Sequence, residues 1–196
     1  MDTRSSRHDI LKYREGNAGG MTLTGVMEFL QDRRKAAGAL LFLVGVIAFM
    51  GIITAEATYP GYSTSDNTIS DLGGSLPPDS VIKQPAATIF DTTMIVSGLM
   101  ILLGTYLIHL SLGDTRLSVM LALFGIGAAG VGVFNGSYGD IHGIFALLTF
   151  VSGGLAAIVS HRVLSGPMRY ISVALGAISL GTLVLYYSFG DSSPLA

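Results

Sequence analysis

The sequence contains no cysteine. That excludes a disulfide framework and any thiolate metal site. Charge is scarce as well. Only 12% of the 196 residues are Asp, Glu, Lys or Arg, against about 25% in an ordinary soluble domain. The formal net charge is −2, so there is no basic footprint for nucleic acid. The chain also reads as lacking a cleavable signal. Its first apolar run starts near residue 36, behind a charged segment, and is too long for a signal h-region. No connecting segment is long enough to form a separate globular domain.

Apolar residues fill the space that charge leaves. They make up 50% of the chain, and the mean hydropathy is +0.61. A helix that crosses a bilayer needs about 20 mostly apolar residues. Five stretches qualify: Ala36 to Ala55, Ala86 to Leu110, Leu117 to Phe134, His142 to Ser160, and Met168 to Phe189. The expected fold is an all-α polytopic transmembrane helix bundle spanning 36–190.

The distribution of Lys and Arg predicts its orientation. Arg4, Arg7, Lys12, Arg14, Arg33, Arg34 and Lys35 precede the first run. Arg116 separates the second and third, and Arg162 and Arg169 separate the fourth and fifth. Lys83 alone falls on the opposite side. The positive-inside rule then predicts a multi-pass protein of the cell membrane with a cytoplasmic N-terminus, and five spans put the C-terminus outside. Residues 1–20, polar and ending in Gly-Gly, are expected to be a mobile cytoplasmic tail. Met21 is an alternative start. Residues 21–35 suit a short cytoplasmic interfacial helix, with Val26, Phe29 and Leu30 on one face, or a plain positive stop before the first span.

Small residues recur four apart on the later spans. Gly125 with Ala129 and Ala128 with Gly132 lie on the third. The fifth pairs Ser172 with Gly176 and Ala177 with Gly181, and the fourth carries the adjacent Gly153 and Gly154. Such residues let helices pack closely when lipid removes the hydrophobic drive between them. They also leave room for a homo-oligomer or another membrane subunit.

Polar side chains gather on the predicted external side. The loop 56–85 contains Glu56, Asp66, Ser70 and Asp71, and a second, short loop carries Asn135, Tyr138 and Asp140 just before His142. Asp91 lies inside the second apolar run. It is either a solvated carboxylate at a helix start or a group that points into a polar cavity. Ser70, His142 and one of Asp71 or Asp91 supply the residue types of a Ser-His-Asp hydrolase, although such a triad is defined by geometry. One external histidine among carboxylates is a poor zinc site, so neither a metal nor another cofactor is expected. In "TISDLGGSLPPDS", a short turn is expected near Ser70 and Asp71, ended by Gly73-Gly74. The Pro pair should then block helix until past Pro78.

Two stretches carry a family resemblance. "YPGYSTSDNTISDLGGSLPPDSVIKQPAATIFD" and "GIGAAGVGVFNGSYGDIHGIFALLTFVSGGL" resemble the archaeal and bacterial membrane family called domain of unknown function 998. More distantly they resemble the DRAM/Frag/Sfk six-helix proteins. The matching positions are Ile69, Ser70, Asp71, Gly73 and Pro77 or Pro78 in the first, and Phe134, His142 and Ala146 in the second. The resemblance implies six helices. This chain offers five, so the sixth is absent, truncated or carried elsewhere. It also implies contact with membrane lipids. The expectation is a lipid-interacting protein with an external pocket of Ser70, Asp71, Asp91 and His142. The alternatives are an intramembrane hydrolase or acyltransferase using those residues, and a structural subunit of a membrane assembly.

Overall fold

The structure is a computed structural model that describes residues 28 and 31–189. Residues 1–20 and nearly all of 21–30 fall outside the described residues, so the expectations for the tail and the interfacial helix are not addressed by it. Among the described residues, 33–189 form one compact unit. Among the described residues there is no strand.

Among the described residues, five helices are long and apolar enough to cross a membrane. They are α1 (Arg33–Thr58), α2 (Ala86–Leu112), α3 (Thr115–Val133), α4 (Asp140–Val159) and α5 (Pro167–Phe189). At 1.5 Å per residue even α3, with 19 residues, reaches ~28 Å, close to the ~30 Å hydrocarbon core. The chain is an integral membrane protein. Arg33, Arg34 and Lys35 belong to α1, so the basic cluster opens the first span itself.

Local chemistry explains the boundaries. Gly113 ends α2 in the left-handed region (φ 66°) and donates its N–H to the His109 carbonyl. Asp114 then caps α3, its Oδ1 accepting from the Leu117 N–H at 3.0 Å. Pro167 opens α5, where its missing N–H costs nothing. Consecutive helices run antiparallel, as the Gly51–Thr93 and Leu41–Gly104 contacts show for α1 and α2. One end of the unit therefore carries Arg34, Arg116, Arg162 and Arg169, and is called here the basic end. The opposite end carries the residue 59–85 segment and the 134–139 turn, and is called the loop end.

The helices pack mainly in chain order, each against its sequence neighbours, and α5 rests on α4. Small residues make each seam. Gly98 of α2 lies against the backbone of Gly125 and Ala129 on α3. Gly132 abuts the Asp91 carbonyl and Ile95. Gly127 and Gly130 face Thr149 and Phe145 of α4. Gly154 meets Gly176 and Leu180 of α5, and Gly153 meets Phe124. Gly181 has open space beside it. Ala128 sits in a mid-membrane core with Val44 and Ile101. Large apolar side chains such as Phe42, Leu99, Phe150 and Ile178 point outward, as lipid allows. Close backbone approach rather than apolar burial holds these helices together.

Candidate functional site

The loop end is built around one leucine. Residues Ile69–Leu72 form a 3-10 turn, ended at Gly73 as the sequence suggests. Asp71 supports the turn from within, its Oδ2 accepting from the Thr68 N–H at 2.9 Å. That turn aims Leu72 into the mouth of α1, α2 and α3. Leu72 is fully buried and packs with Ala55, Ala86, Phe90 and Val131, with Tyr59 and Tyr62 against the cluster. Its neighbours Ile69 and Leu76 are more than half exposed. Leu72 is the one buried side chain of the residue 59–85 segment. Burial, helped by nearby Glu56 and Asp71, raises the Tyr62 phenol above its usual value. Its hydroxyl donates to the Thr68 carbonyl at 3.3 Å.

Beyond Leu72 the backbone comes down onto the polar residues. A Cβ on Gly73 would stand 2.5 Å from Asp91 Oδ1 and 2.9 Å from Phe90 Cδ1. A Cβ on Gly136 would run into the Gly74 carbonyl oxygen. Gly139, at φ 59°, has Pro77 above it. Glycine is required here because two loops and a helix meet at backbone distance. The 134–139 turn is tied to α2 by Asn135. Its Nδ2 donates to Asp91 Oδ2 at 2.9 Å, and its Oδ1 accepts from Ser137 Oγ at 2.7 Å.

His142 lies beneath this turn, in the first turns of α4, only 4% exposed. Its Nδ1 is 2.7 Å from the Phe134 carbonyl oxygen. A carbonyl only accepts, so Nδ1 is the donor and Nε2 of the neutral ring is a bare acceptor. The ring is close enough to Asp91 to interact with it electrostatically. Two polar atoms of this cluster, Asp91 Oδ1 and His142 Nε2, are buried without a hydrogen-bond partner. A third orphan, Ser97 Oγ, lies further along α2. Phe134 walls the site, stacked on Phe145 at 5.3 Å and edge-on to Tyr138 at 5.6 Å.

The structure thus draws together Asp91, Asn135 and His142. It does not bring Ser70 to the imidazole. The Ser70 hydroxyl pairs with Thr68 Oγ1 at 3.1 Å, and Asp71 is engaged in its own turn. Glu56 lies beside Tyr62, Tyr138 is exposed, and Asp140 is exposed in the first turn of α4. Among the described residues no group of His, Asp and Glu is arranged to hold a metal ion. Sequence reasoning missed Leu72 and Gly136. The signal for the first was present: a large aliphatic followed at once by Gly-Gly within a polar loop.

The family model described as "Protein of unknown function (DUF998)" matches residues 33–196, and the chain belongs to that family. No match was found among curated proteins or among solved structures.

Proposed function

We propose that this membrane protein interacts with lipid through a polar pocket at the loop end, binding a headgroup that donates hydrogen bonds. One observation carries the reading: Asp91 Oδ1 and His142 Nε2 are both buried and unpartnered in one cluster. Each such atom costs about 1–3 kcal/mol. An ionisable residue inside a span is retained for function by default. Both orphans are acceptors while the imidazole is neutral. A primary ammonium or a hydroxyl satisfies them, and a quaternary ammonium does not. The Leu72 turn is the cover of this pocket. The resemblance to the DRAM/Frag/Sfk group points the same way by analogy.

The hydrolase or acyltransferase reading has less support. His142 is oriented as a base should be, but the Ser70 hydroxyl is bonded to Thr68 and no nucleophile meets Nε2. Assembly as a structural subunit is weakened too. Gly125, Ala129, Gly132, Gly154 and Gly176 are used inside the chain, and of the residues expected to pack helices only Gly181 is left open.

The test is nitrogen NMR of 15N-histidine-labelled protein in bicelles. Phosphatidylethanolamine should shift the Nε2 resonance of His142, and phosphatidylcholine, which offers no N–H donor, should not. Assignment comes from His142→Gln. Equal spectra in the two lipids would remove the reading. Fatty acid release that depends on His142 would replace it with the enzyme.

A further inference from the structure

We infer that the basic end holds a second, separate lipid site: a groove between α3 and α4 that seats an acyl chain of an anionic phospholipid, its phosphate on Arg116. The groove has a volume of ≈ 450 Å³, within the ~300–1,000 Å³ usual for ligand sites. Val119, Met120, Leu155 and Val159 line it, together with apolar atoms of Thr115 and Arg116. Its wholly apolar lining suits a hydrocarbon chain, and the exposed Arg116 in the first turn of α3 is the charge nearest to hand for an anionic group.

Charge complementarity selects the occupant. Three other arginines of this end are engaged. Arg162 Nε donates to Asp114 Oδ2 at 3.0 Å, Arg169 Nε to the Leu164 carbonyl at 3.2 Å, and Arg34 to the Ser111 carbonyl at 3.2 Å. Asp114 is the acid nearest in sequence to Arg116, and its side chain is taken up by Arg162 and by the Leu117 N–H. Among the described residues the Arg116 guanidinium has no protein partner, and it is exposed. A free guanidinium at the lip of an apolar groove matches phosphate better than a neutral or cationic headgroup. The Lys and Arg distribution assigns this end to the cytoplasmic leaflet, where anionic lipids concentrate. A basic residue near such a surface contributes about 1 kcal/mol, or roughly fivefold in occupancy.

Native mass spectrometry of the full chain, released from mixed micelles containing equal phosphatidylglycerol and phosphatidylcholine, tests this. Wild type should retain phosphatidylglycerol in preference. Arg116→Gln should cut that preference about fivefold, and Arg169→Gln should leave it unchanged. Val119→Trp, which fills the groove and keeps Arg116, should lower retention of the anionic lipid while the helix content measured by circular dichroism stays constant. Equal retention of the two lipids by wild type overturns the site. So does an Arg169→Gln effect as large as that of Arg116→Gln, which would mean diffuse surface charge. The ethanolamine response of His142 is read independently at the opposite end, so failure here leaves the loop-end pocket standing.

Discussion

The two ends of the helix row handle polar groups in opposite ways. At the basic end they are near the surface and mostly paired. Asp114 caps α3 and binds Arg162. His109 Nδ1 meets Ser118 Oγ at 3.3 Å. His161 Nδ1 lies 2.8 Å from the Ile158 carbonyl oxygen. At the loop end polar groups are covered by folded chain, and two of them stay unpaired. Water can satisfy an exposed group at no structural cost, whereas a covered one depends on what the protein or a ligand supplies. The difference separates helix-end chemistry from a site. It also predicts that the loop end is tightly packed and the basic end tolerant.

The largest expected effect is at the loop's one buried side chain. Leu72→Ala should destabilise the chain by about 2–5 kcal/mol, from lost burial plus the cavity left behind. Thermal unfolding in detergent measures it. Leu76→Ala, a few residues away on an exposed side chain, should change little. A loss no greater than that of Leu76→Ala would mean that the loop is not held by Leu72.

A pair of glycines sharpens the same contrast. Gly136→Ala places a methyl against the Gly74 carbonyl oxygen, a backbone atom that cannot swing away. Overpacking of that kind costs about 1–3 kcal/mol, and the loop should open as a result. Trypsin cleavage at Lys83, compared between variant and wild type, reports the opening. Gly166→Ala at the basic end meets nothing within 4 Å. Its cost is conformational only, because φ is 61°, and should be about 1 kcal/mol. Equal losses at the two positions would break the comparison.

Much of the fold was legible because lipid imposes simple demands. Runs of about 20 apolar residues located all five helices to within a few residues. Small residues marked the α2–α3 and α4–α5 seams from their α3, α4 and α5 sides, since only steric size matters there. Their partners were not legible. Gly98 has no small residue four positions before or after it, so nothing in that spacing announces that α3 will touch it. The site was half legible. Ionisable residues near one membrane depth singled out Asp91 and His142, and topology put them on the same side. Composition could not separate them from Ser70 and Asp71, which spend their hydrogen bonds on their own turn. A polar side chain three residues from a possible backbone partner tends to bond locally, and only coordinates show whether it did. Leu72 illustrates the same limit. Ile69, Leu72 and Leu76 are chemically alike, and the folded path of the loop decides which of them enters the core.

The smallest effect concerns the acid sensitivity of the basic end. The Leu117 backbone N–H first, and then the Arg162 guanidinium, hold the Asp114 carboxyl below the usual aspartate range. A carboxylate whose folded value is depressed binds protons more readily when unfolded, so folding gains from its ionised form. That gain is complete above the ordinary aspartate range and is lost as pH falls toward and through the depressed value. Asp114 lies at the surface, so solvent and salt screen the Arg162 contact, and the cap bond carries most of the effect. Asp114→Asn keeps a side-chain acceptor for Leu117 but removes the titration. Its unfolding temperature should therefore match wild type closely in acid and fall slightly below it at neutral pH, with the gap narrowing in high salt. Arg162→Gln should reproduce only the salt-sensitive part. A larger loss from Arg162→Gln than from Asp114→Asn would reverse that order and make the ion pair, rather than the cap, the fastening of α3 at the basic end.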